Sequence, residues 1–278
     1  MPALARRGAR AFLWLPAVTA ALVAGPLMGL HLNLPREARR PSVRLLTYNV
    51  WFGARDPRAI AEEVRAAMPD IVLFQAAAPP ADVSLKSPPF EQYLYLHEAS
   101  FVVASRYPVR LVSQGRTVFA HLGPPYVRFA VETPLGTLDL FSVHPHSPRA
   151  LFAYGERGLR RVLAAGPLAD PGGVLQFLDE QLEEIDAATR AGGPLRVVAG
   201  DFNVPERSAL LRGRFEGTED AFASAGNGYG YTFPVLRTPP WMRLDRVLLG
   251  PGLSAARARV VGHGGSDHAP LLVEIVRK

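Results

Sequence analysis

One stretch near residue 200 limits what this chain can fold into more than any other. The run L-R-V-V-A-G over residues 195–200 is largely apolar and lacks strict alternation, which predicts a strand covered on both faces. Asp201 and Asn203 follow, two positions apart, so an extended backbone would direct both side chains to the same side. A carboxylate and an amide at a strand end suit a cation or a phosphoryl oxygen. The alternative is an ordinary turn, since Asp, Asn and Gly are common turn residues.

The first forty residues differ in composition from the rest of the chain. Residues 11–32 contain no Asp, Glu, Lys or Arg, and this run is about as long as a membrane-spanning helix. We therefore expect a single-pass anchor in the cell membrane, with the following domain outside the cytoplasm. A cleaved signal segment followed by secretion is the alternative, because small residues such as Ala20 and Ala24 would permit cleavage.

Charge outside this segment is nearly balanced. Residues 1–40 carry six Arg and one Glu, so the rest of the chain holds 25 basic and 24 acidic residues, a net charge of about +1. The bulk charge therefore gives no support to the concentrated basic surface that is typical of nucleic-acid-binding domains. The chain has no cysteine, which excludes disulfides and thiolate chemistry.

Residues 42–278 show strand and helix signals without a dividing linker. We therefore expect one domain there, preceded by a basic segment, anchor and linker over residues 1–41. The earliest signals predict strands on either side of a helix that begins at Asp56-Pro57, where Asp suits the N-cap and Pro the first turn. The later signals predict a hairpin and two helices, in order over residues 126–131, 137–143, 150–163 and 174–188.

Polar side chains recur at or near the ends of the predicted strands. A single such residue is usually a cap or a turn former, but eight of them in one domain indicate a shared polar site. The eight are Asn49, Gln75, His144, Asp201, Asn203, Asp245, Asp267 and His268.

Short sequence blocks occur in the order found in one enzyme superfamily. G-D-F-N at 200–203 with S-D-H at 266–268 is a specific pair, and weaker blocks are T-Y-N at 47–49, P-D-I-V-L-F-Q at 69–75, S-R-Y-P at 105–108 and L-D-R-V at 244–247. With these blocks, residues 42–278 resemble the endonuclease/exonuclease/phosphatase superfamily, which includes pancreatic deoxyribonuclease, abasic-site endonucleases and neutral sphingomyelinases. T-F-P at 232–234 and the apolar N-terminus look most like its membrane-tethered bacterial branch.

The resemblance implies an α/β (α+β) fold, a four-layer α/β/β/α sandwich of two packed mixed sheets, here with an N-terminal hydrophobic helix. It also implies a phosphoester hydrolase in which Mg²⁺ or Mn²⁺ assists the attack of water. Carried over by position, Asp201 would activate or align that water, Asn203 would hold a phosphate oxygen, and His144 would contact the phosphoryl or leaving group. Asp245 would orient His268, the phosphate-binding or general-base imidazole.

The same carry-over suggests metal and substrate contacts. Asn49 and Asp267 would hold the metal ion. Arg128, Gln75 and His146 are the candidate substrate-binding residues, and a structural arginine on the strand surface is the alternative for Arg128. We expect a lipid or small-molecule phosphoester rather than nucleic acid as substrate, because the domain is nearly neutral and preceded by an expected anchor, and we expect a monomer.

One position departs from the pattern of the superfamily. Its L-Q-E block is F-Q-A here, so Ala76 stands where the resemblance places the principal metal-binding Glu. Hard divalent cations prefer anionic oxygen ligands, so the loss of this carboxylate should weaken metal binding. Three interpretations follow: a hydrolase with a rearranged metal site, a weakly active hydrolase, or an inactive domain that binds a phosphorylated ligand. A nuclease is a further alternative.

Overall fold

The computed structural model describes residues 14–34, 41–51, 55–77, 90–117, 123–148, 171–234, 239–262 and 264–278. Helical backbone in these ranges comprises α1 (residues 14–22), α2 (Pro57–Ala67), α3 (Pro171–Arg190) and α4 (Ala221–Ala225). The strands, in chain order, are β1 (Ser42–Asn49), β2 (Ile71–Gln75), β3 (Leu94–Glu98), β4 (Phe101–Ser105), β5 (Val109–Gln114), β6 (Tyr126–Thr133), β7 (Gly136–Val143), β8 (Arg196–Asp201), β9 (Glu219–Asp220), β10 (Asp245–Leu249), β11 (Leu253–Val260) and β12 (Leu271–Arg277).

Two mixed sheets of six strands each make up the centre of the molecule. The first sheet has the order β11-β12-β1-β2-β4-β3, and the second has the order β5-β6-β7-β8-β10-β9. Within the described residues, each sheet contains one parallel pair, β1 with β2 and β7 with β8, while the other pairings are antiparallel. The strands of both parallel pairs therefore end side by side, which places polar residues from different parts of the chain at neighbouring strand ends.

The apolar residues fall into three buried clusters that separate four layers. The central cluster joins the inner faces of the two sheets and includes Leu45, Phe129 and Val197, all fully buried. A second cluster packs α2 on the outer face of the first sheet. A third cluster packs α3 on the outer face of the second sheet. This α/β/β/α arrangement confirms the predicted fold.

Local sequence explains the two helices that cover the sheets. Asp56 caps α2 by accepting hydrogen bonds from the N–H groups of Arg58 and Ala59, and Pro57 occupies the first turn. The apolar spacing predicts a stripe of Leu175, Leu178, Leu182 and Ile185 on α3; the last three are buried, whereas Leu175 is exposed. The helix predicted over residues 150–163 lies outside the described residues.

The N-terminal segment differs from the prediction. α1 continues as one π-helical turn, Val23–Leu27, and helical backbone ends at Met28. Within the described ranges no helix is long and apolar enough to cross a membrane, since about 20 residues are needed. The predicted single-pass helix over residues 11–32, and with it the prediction of a single-pass protein of the cell membrane, is therefore wrong. The membrane-tethered branch is likewise not shown.

A physical reason for the error lies just after the helix. Gly29 adopts a left-handed φ of 75°, and the next residues extend across the domain instead of continuing a helix. His31 pairs with Gly228 through two backbone hydrogen bonds of 2.9 Å. Tertiary hydrogen bonds thus replace the helical ones that the apolar composition favours.

Gly200 fixes the strand end that carries the polar site. Its φ is 149°, and a Cβ at this position would lie 2.0 Å from the carbonyl oxygen of Val143. Gly200 and Val143 face each other in the parallel β7–β8 pair, and Asp201 faces Asp245 in the antiparallel β8–β10 pair. A residue without a side chain is therefore required here for the two strands to stay paired up to Asp201.

Candidate functional site

Asp201, at the end of β8, lies at the centre of the polar site. Its side chain is 1% exposed, and Oδ2 accepts a 2.9 Å hydrogen bond from the Nδ2 of Asn49. Oδ2 also lies 3.9 Å from Nε2 of His144 and 3.6 Å from Nε2 of His268. Asn49 ends β1 of the first sheet, whereas Asp201 ends β8 of the second, so the site is built from both halves of the sandwich.

His268 and Asp245 form a buried pair beside Asp201. Nδ1 of His268 lies 2.8 Å from Oδ2 of Asp245, and both side chains are at most 6% exposed. Burial alone would lower the pKa of His268, but the carboxylates of Asp245 and Asp201 outweigh it and raise that pKa to about 9. In the absence of a cation the imidazole is therefore protonated at neutral pH.

Two residues of the segment before β10 hold this pair in place. The Oγ1 of Thr232 accepts hydrogen bonds from the N–H groups of Leu244 and Asp245, at 3.3 and 3.2 Å. The ring of Phe233 lies 4.7 Å from the imidazole of His268, centroid to centroid. The T-F-P block was visible in the sequence, but the function of Thr232 as a support for Asp245 was missed because it depends on tertiary contact.

His144 lies near the same oxygen of Asp201 as His268 and contacts residues of the first sheet. Its Nε2 is 3.4 Å from Nδ2 of Asn49, and its ring contacts the edge of Phe101 at a centroid distance of 6.5 Å. Burial lowers the pKa of His144, and this effect exceeds the opposing influence of Asp201. An amide N–H can only donate, so a hydrogen bond from Asn49 requires the unprotonated Nε2 as acceptor.

Asn203 closes the turn after β8. It has a left-handed φ of 54°, a conformation that Asn adopts more readily than most residues. Its N–H donates to Oδ1 of Asp201 at 2.8 Å, and its Nδ2 donates to the carbonyl of Pro145 at 2.8 Å. The strand and turn interpretations of G-D-F-N are thus both correct, because the Asx turn itself orients the carboxylate of Asp201.

The structure contains one group of three acidic or imidazole side chains, among the residues described, that can hold a metal ion. Asp201, Asp245 and His268 are all buried, and one ligand atom from each lies within 4.8 Å of the others. Oδ1 of Asp245 is buried without a hydrogen-bond partner. Buried carboxylate oxygens are normally paired, and a cation would satisfy this one. The residues therefore fit a divalent ion.

The predicted metal ligands Asn49 and Asp267 are also buried, at 6% and 2% exposure. Oδ1 of Asn49 already accepts the N–H of Trp51 at 3.0 Å, and its Nδ2 is used by Asp201. Ala76 is 3% exposed with a φ of 46°, and it offers only a methyl group where the superfamily pattern has a Glu. The assignment of Asn49 and Asp267 as ligands stays a prediction.

The three predicted substrate-binding residues have structural partners. Gln75 is fully buried and joins Thr47 of its own sheet to Ser142 of the other, at 3.2 and 3.1 Å. The guanidinium of Arg128 binds both carboxylate oxygens of Asp139, at 2.6 and 2.7 Å.

His146 donates its backbone N–H to Gln181 at 2.6 Å and places its ring 5.8 Å from that of Phe177. None of these contacts joins Gln75, Arg128 or His146 to the Asp201 group. Their assignment to substrate binding stays a prediction.

The family model described as "Endonuclease/Exonuclease/phosphatase family" matches residues 46–268. The chain belongs to this family. Comparison with curated protein sequences finds no match.

Solved structures of the same fold share little sequence with the chain. An endonuclease/exonuclease/phosphatase family protein from Bacteroides thetaiotaomicron is 16% identical, with a TM-score of 0.61 over 85% of this chain and 98% of that one. A mannosyl-6-phosphatase from the same organism is 15% identical, with a TM-score of 0.58 over 84% and 99%. TDP2 from D. rerio, complexed with a single strand DNA product, is 17% identical, with a TM-score of 0.59 over 85% and 99%. These likenesses establish the fold.

Proposed function

We propose that the protein is a phosphoester hydrolase that works with a divalent cation. The observation that carries this proposal is the position of Asp201, whose carboxylate lies within 4 Å of two imidazoles and accepts the amide of Asn49. Membership of the family and the neighbouring phosphatase and DNA-processing folds support the same reaction class. The active site would lie where the strands of both sheets end.

Asp201, Asp245 and His268 would hold the cation, with Nδ1–H of His268 kept on Asp245. When bound, the cation supplies neutralisation of phosphoryl charge and a lower pKa for a coordinated water. Two carboxylates with one imidazole suit Mn²⁺ better than Mg²⁺, which prefers an all-oxygen shell. The proposed cofactor is therefore Mn²⁺, and Mg²⁺ should bind the same site more weakly.

The remaining side chains would position the water and receive its proton. Asn49 holds Asp201 in place, which fixes where an attacking water can donate a hydrogen bond. His144, kept neutral by its burial, lies 3.9 Å from Asp201 and is placed to take up the proton of that water. Asn203 would present the remaining N–H of its amide to a phosphate oxygen, as its position in the G-D-F-N block implies.

Two alternatives rest on specific observations. An inactive domain that binds a phosphorylated ligand is favoured by Ala76, because the carboxylate that the family uses is absent. A nuclease is favoured by the TDP2 fold with its DNA product, but the balanced charge of residues 41–278 argues against a long phosphate backbone as partner. A lipid or small-molecule phosphoester as substrate and a monomeric enzyme are the expectations that we retain as proposals.

A substrate panel with defined metals tests the proposal. The full chain, freed of metal by chelation, is assayed on p-nitrophenyl phosphate, bis-p-nitrophenyl phosphate, a hexose 6-phosphate and single-stranded DNA, each without metal and with Mg²⁺ or Mn²⁺. We expect metal-dependent release of product, highest with Mn²⁺ and on a small substrate. No turnover of any substrate, together with phosphate-ester binding that survives Asp201→Ala, would establish the binding-domain alternative.

A further inference from the structure

The segment after the N-terminal helix contacts a glycine-rich loop of the domain, and its His31 also lies 3.5 Å from the carboxylate of Glu206. Residues 226–231 read G-N-G-Y-G-Y, and Gly228 and Gly230 have φ values of 94° and 64°. Glycine loses more backbone freedom on ordering than other residues, so such a loop needs contacts from outside to stay fixed. The loop leads directly into Thr232 and Phe233, which support the Asp245–His268 pair.

Asn33 supplies most of these contacts. Its backbone N–H donates to Oδ1 of Asn227 at 2.7 Å, and its Nδ2 donates to the carbonyls of Gly226 and Ala223 at 2.6 and 3.1 Å. These three hydrogen bonds join residues about 190 positions apart in the chain. Because the side chain of Asn33 bonds both α4 and the start of the loop, it restricts the motion of both.

Two further contacts hold the middle and the end of the loop. His31 forms the two-way backbone pair with Gly228 at 2.9 Å, and its ring stands edge-on to Phe222 at 6.0 Å. The hydroxyl of Tyr231 donates to the carbonyl of Met28 at 2.9 Å. Residues 28–33 therefore touch the loop at its beginning, middle and end.

The loop passes this restraint to the site. Thr232, fully buried, binds the backbone of Asp245 through Oγ1, and its carbonyl accepts the N–H of Ala269, the residue after His268, at 2.8 Å. Phe233 packs on the imidazole of His268. Both members of the pair are thus held by the two residues that follow the loop.

We propose that residues 28–33 form a strap that keeps Thr232 and Phe233 against the Asp245–His268 pair, with Asn33 as a positioning residue for hydrolysis. This inference rests on the hydrolase function proposed above. It makes residues 28–33 part of the catalytic domain and not of a linker that precedes it. The strap touches no described site residue directly, so it should affect the rate of the chemical step and not the binding of substrate.

Asn33→Ala and Asn33→Asp in the full chain test the proposal, with Leu34→Ala as the matched control. Leu34 is 87% exposed and adjacent in sequence. Both Asn33 variants lose the Nδ2 donor. We expect hydrogen exchange in residues 226–234 and 241–245 to rise about ten-fold, the factor for one or two net hydrogen bonds. In the Asn33 variants, the exchange rates in β6 and β7 should match those of the unmodified protein. In Leu34→Ala, the exchange rates of all segments should match them.

Steady-state kinetics supply the second readout. With an active substrate, kcat of both Asn33 variants should fall by about ten- to a hundred-fold with KM unchanged, because the reacting groups shift while binding contacts stay. Tyr231→Phe removes an independent contact of the strap and should move the same exchange and kcat in the same direction. It serves the test even where Asn33→Ala folds poorly.

Unchanged exchange in residues 241–245, or a rise spread evenly over the core strands, would overturn the strap as a positioning element. A fall in kcat that is matched by Leu34→Ala would do the same. If the unmodified protein hydrolyses no phosphoester, the exchange result still decides whether the strap holds the loop. The absence of hydrolysis would reject the proposed function, independently of the exchange result.

Discussion

The amide of Asn49 donates a 2.9 Å hydrogen bond to the carboxylate of Asp201, and each residue ends a strand of a different sheet. Without this bond, Oδ2 of the buried carboxylate would lack this hydrogen-bond donor, and because the side chain is buried, solvent water could not take its place. The contact also orients Oδ2 towards the two imidazoles. The geometry of Asp201 therefore depends on both sheets, and four predictions follow from it and from its surroundings.

Asp201→Asn should remove most activity while leaving the fold intact. The change keeps the size of the side chain but removes the charge that orders the water and faces His268, so kcat should fall by about 10²–10⁴. The melting temperature should fall, because an amide nitrogen replaces one of the two oxygens that accept hydrogen bonds from Asn49 and Asn203, so activity is compared well below both melting transitions. Asp179→Asn, at a half-exposed position on α3, is the control and should retain full activity. Equal activity of the two variants would contradict the assignment of Asp201.

Ala76→Glu should tighten divalent-ion binding if the pocket works through a metal. The substitution adds an anionic oxygen where the family pattern has its Glu, and hard cations gain most from carboxylate ligands. Ala76→Gln has nearly the same shape without the charge, and it separates the charge effect from packing. Titration of Mn²⁺ by calorimetry should show an affinity for Ala76→Glu about ten-fold above that of Ala76→Gln, in line with the charge dependence of cation sites. Identical affinities would mean that this position does not face the cation.

Asp220 should make the stability of the fold depend on pH. Burial alone would raise the pKa of this carboxyl, but Arg243 and Arg246 lower it well below its ordinary value of 3.8. Because the folded-state pKa is depressed, the stabilisation is present above the ordinary pKa and is lost as the pH falls through the folded pKa.

Asp220→Asn isolates this effect, since Asn also caps a helix well and Asp220 caps α4. At pH 7 the variant should lose about 3–5 kcal/mol of unfolding free energy, the range for breaking a buried ion pair. Urea denaturation should show this difference shrinking as the pH is lowered below about 4, where the unfolded carboxyl becomes protonated. A difference that is constant from pH 7 to pH 3 would contradict the prediction.

Gly200→Ala should disrupt the site by separating two paired strands. The added Cβ would lie 2.0 Å from the carbonyl oxygen of Val143, so β8 must move away from β7. We expect a loss of about 3 kcal/mol or more, because backbone cannot yield as a flexible side chain does. Gly193→Ala is the control, since nothing lies within 4 Å of its added Cβ. Thermal melting of both variants gives the comparison, and similar melting temperatures would refute the steric argument.

Sequence patterns predicted the parts of the fold that are determined by local chemistry. The apolar runs of β1, β2 and β8 and the N-cap at Asp56 follow from composition and spacing alone. The edge strands were missed: five of the six residues of β5 are exposed, so no buried face marks it. Edge strands are specified by the partner they join, and β5 joins β6 in the second sheet.

Nonlocal contacts account for the rest of the difference. Eight polar strand-end residues were predicted to share a site, and the structure joins Asn49, His144, Asp201, Asp245 and His268 through contacts below 4 Å. Gln75, at another such end, bonds Thr47 and Ser142 because its strand ends within the core. The uncharged N-terminal run suggested a membrane helix, yet Asn33 and His31 bond residues 190 or more positions away. A hydropathy average over neighbouring residues takes no account of contacts with residues so distant in the sequence.

The hydrogen bonds of Gln75 to Thr47 and Ser142 have a consequence for how substitutions in the core should be understood. The bond to Ser142 crosses from one sheet to the other, as the Asn49–Asp201 bond does, so two polar links join the sheets of the sandwich. A core substitution that thickens the sandwich by a few tenths of an ångström would lengthen both links together. Under the proposed function, the rate of hydrolysis should therefore change with core substitutions that alter the distance between the sheets, even where these lie far from Asp201.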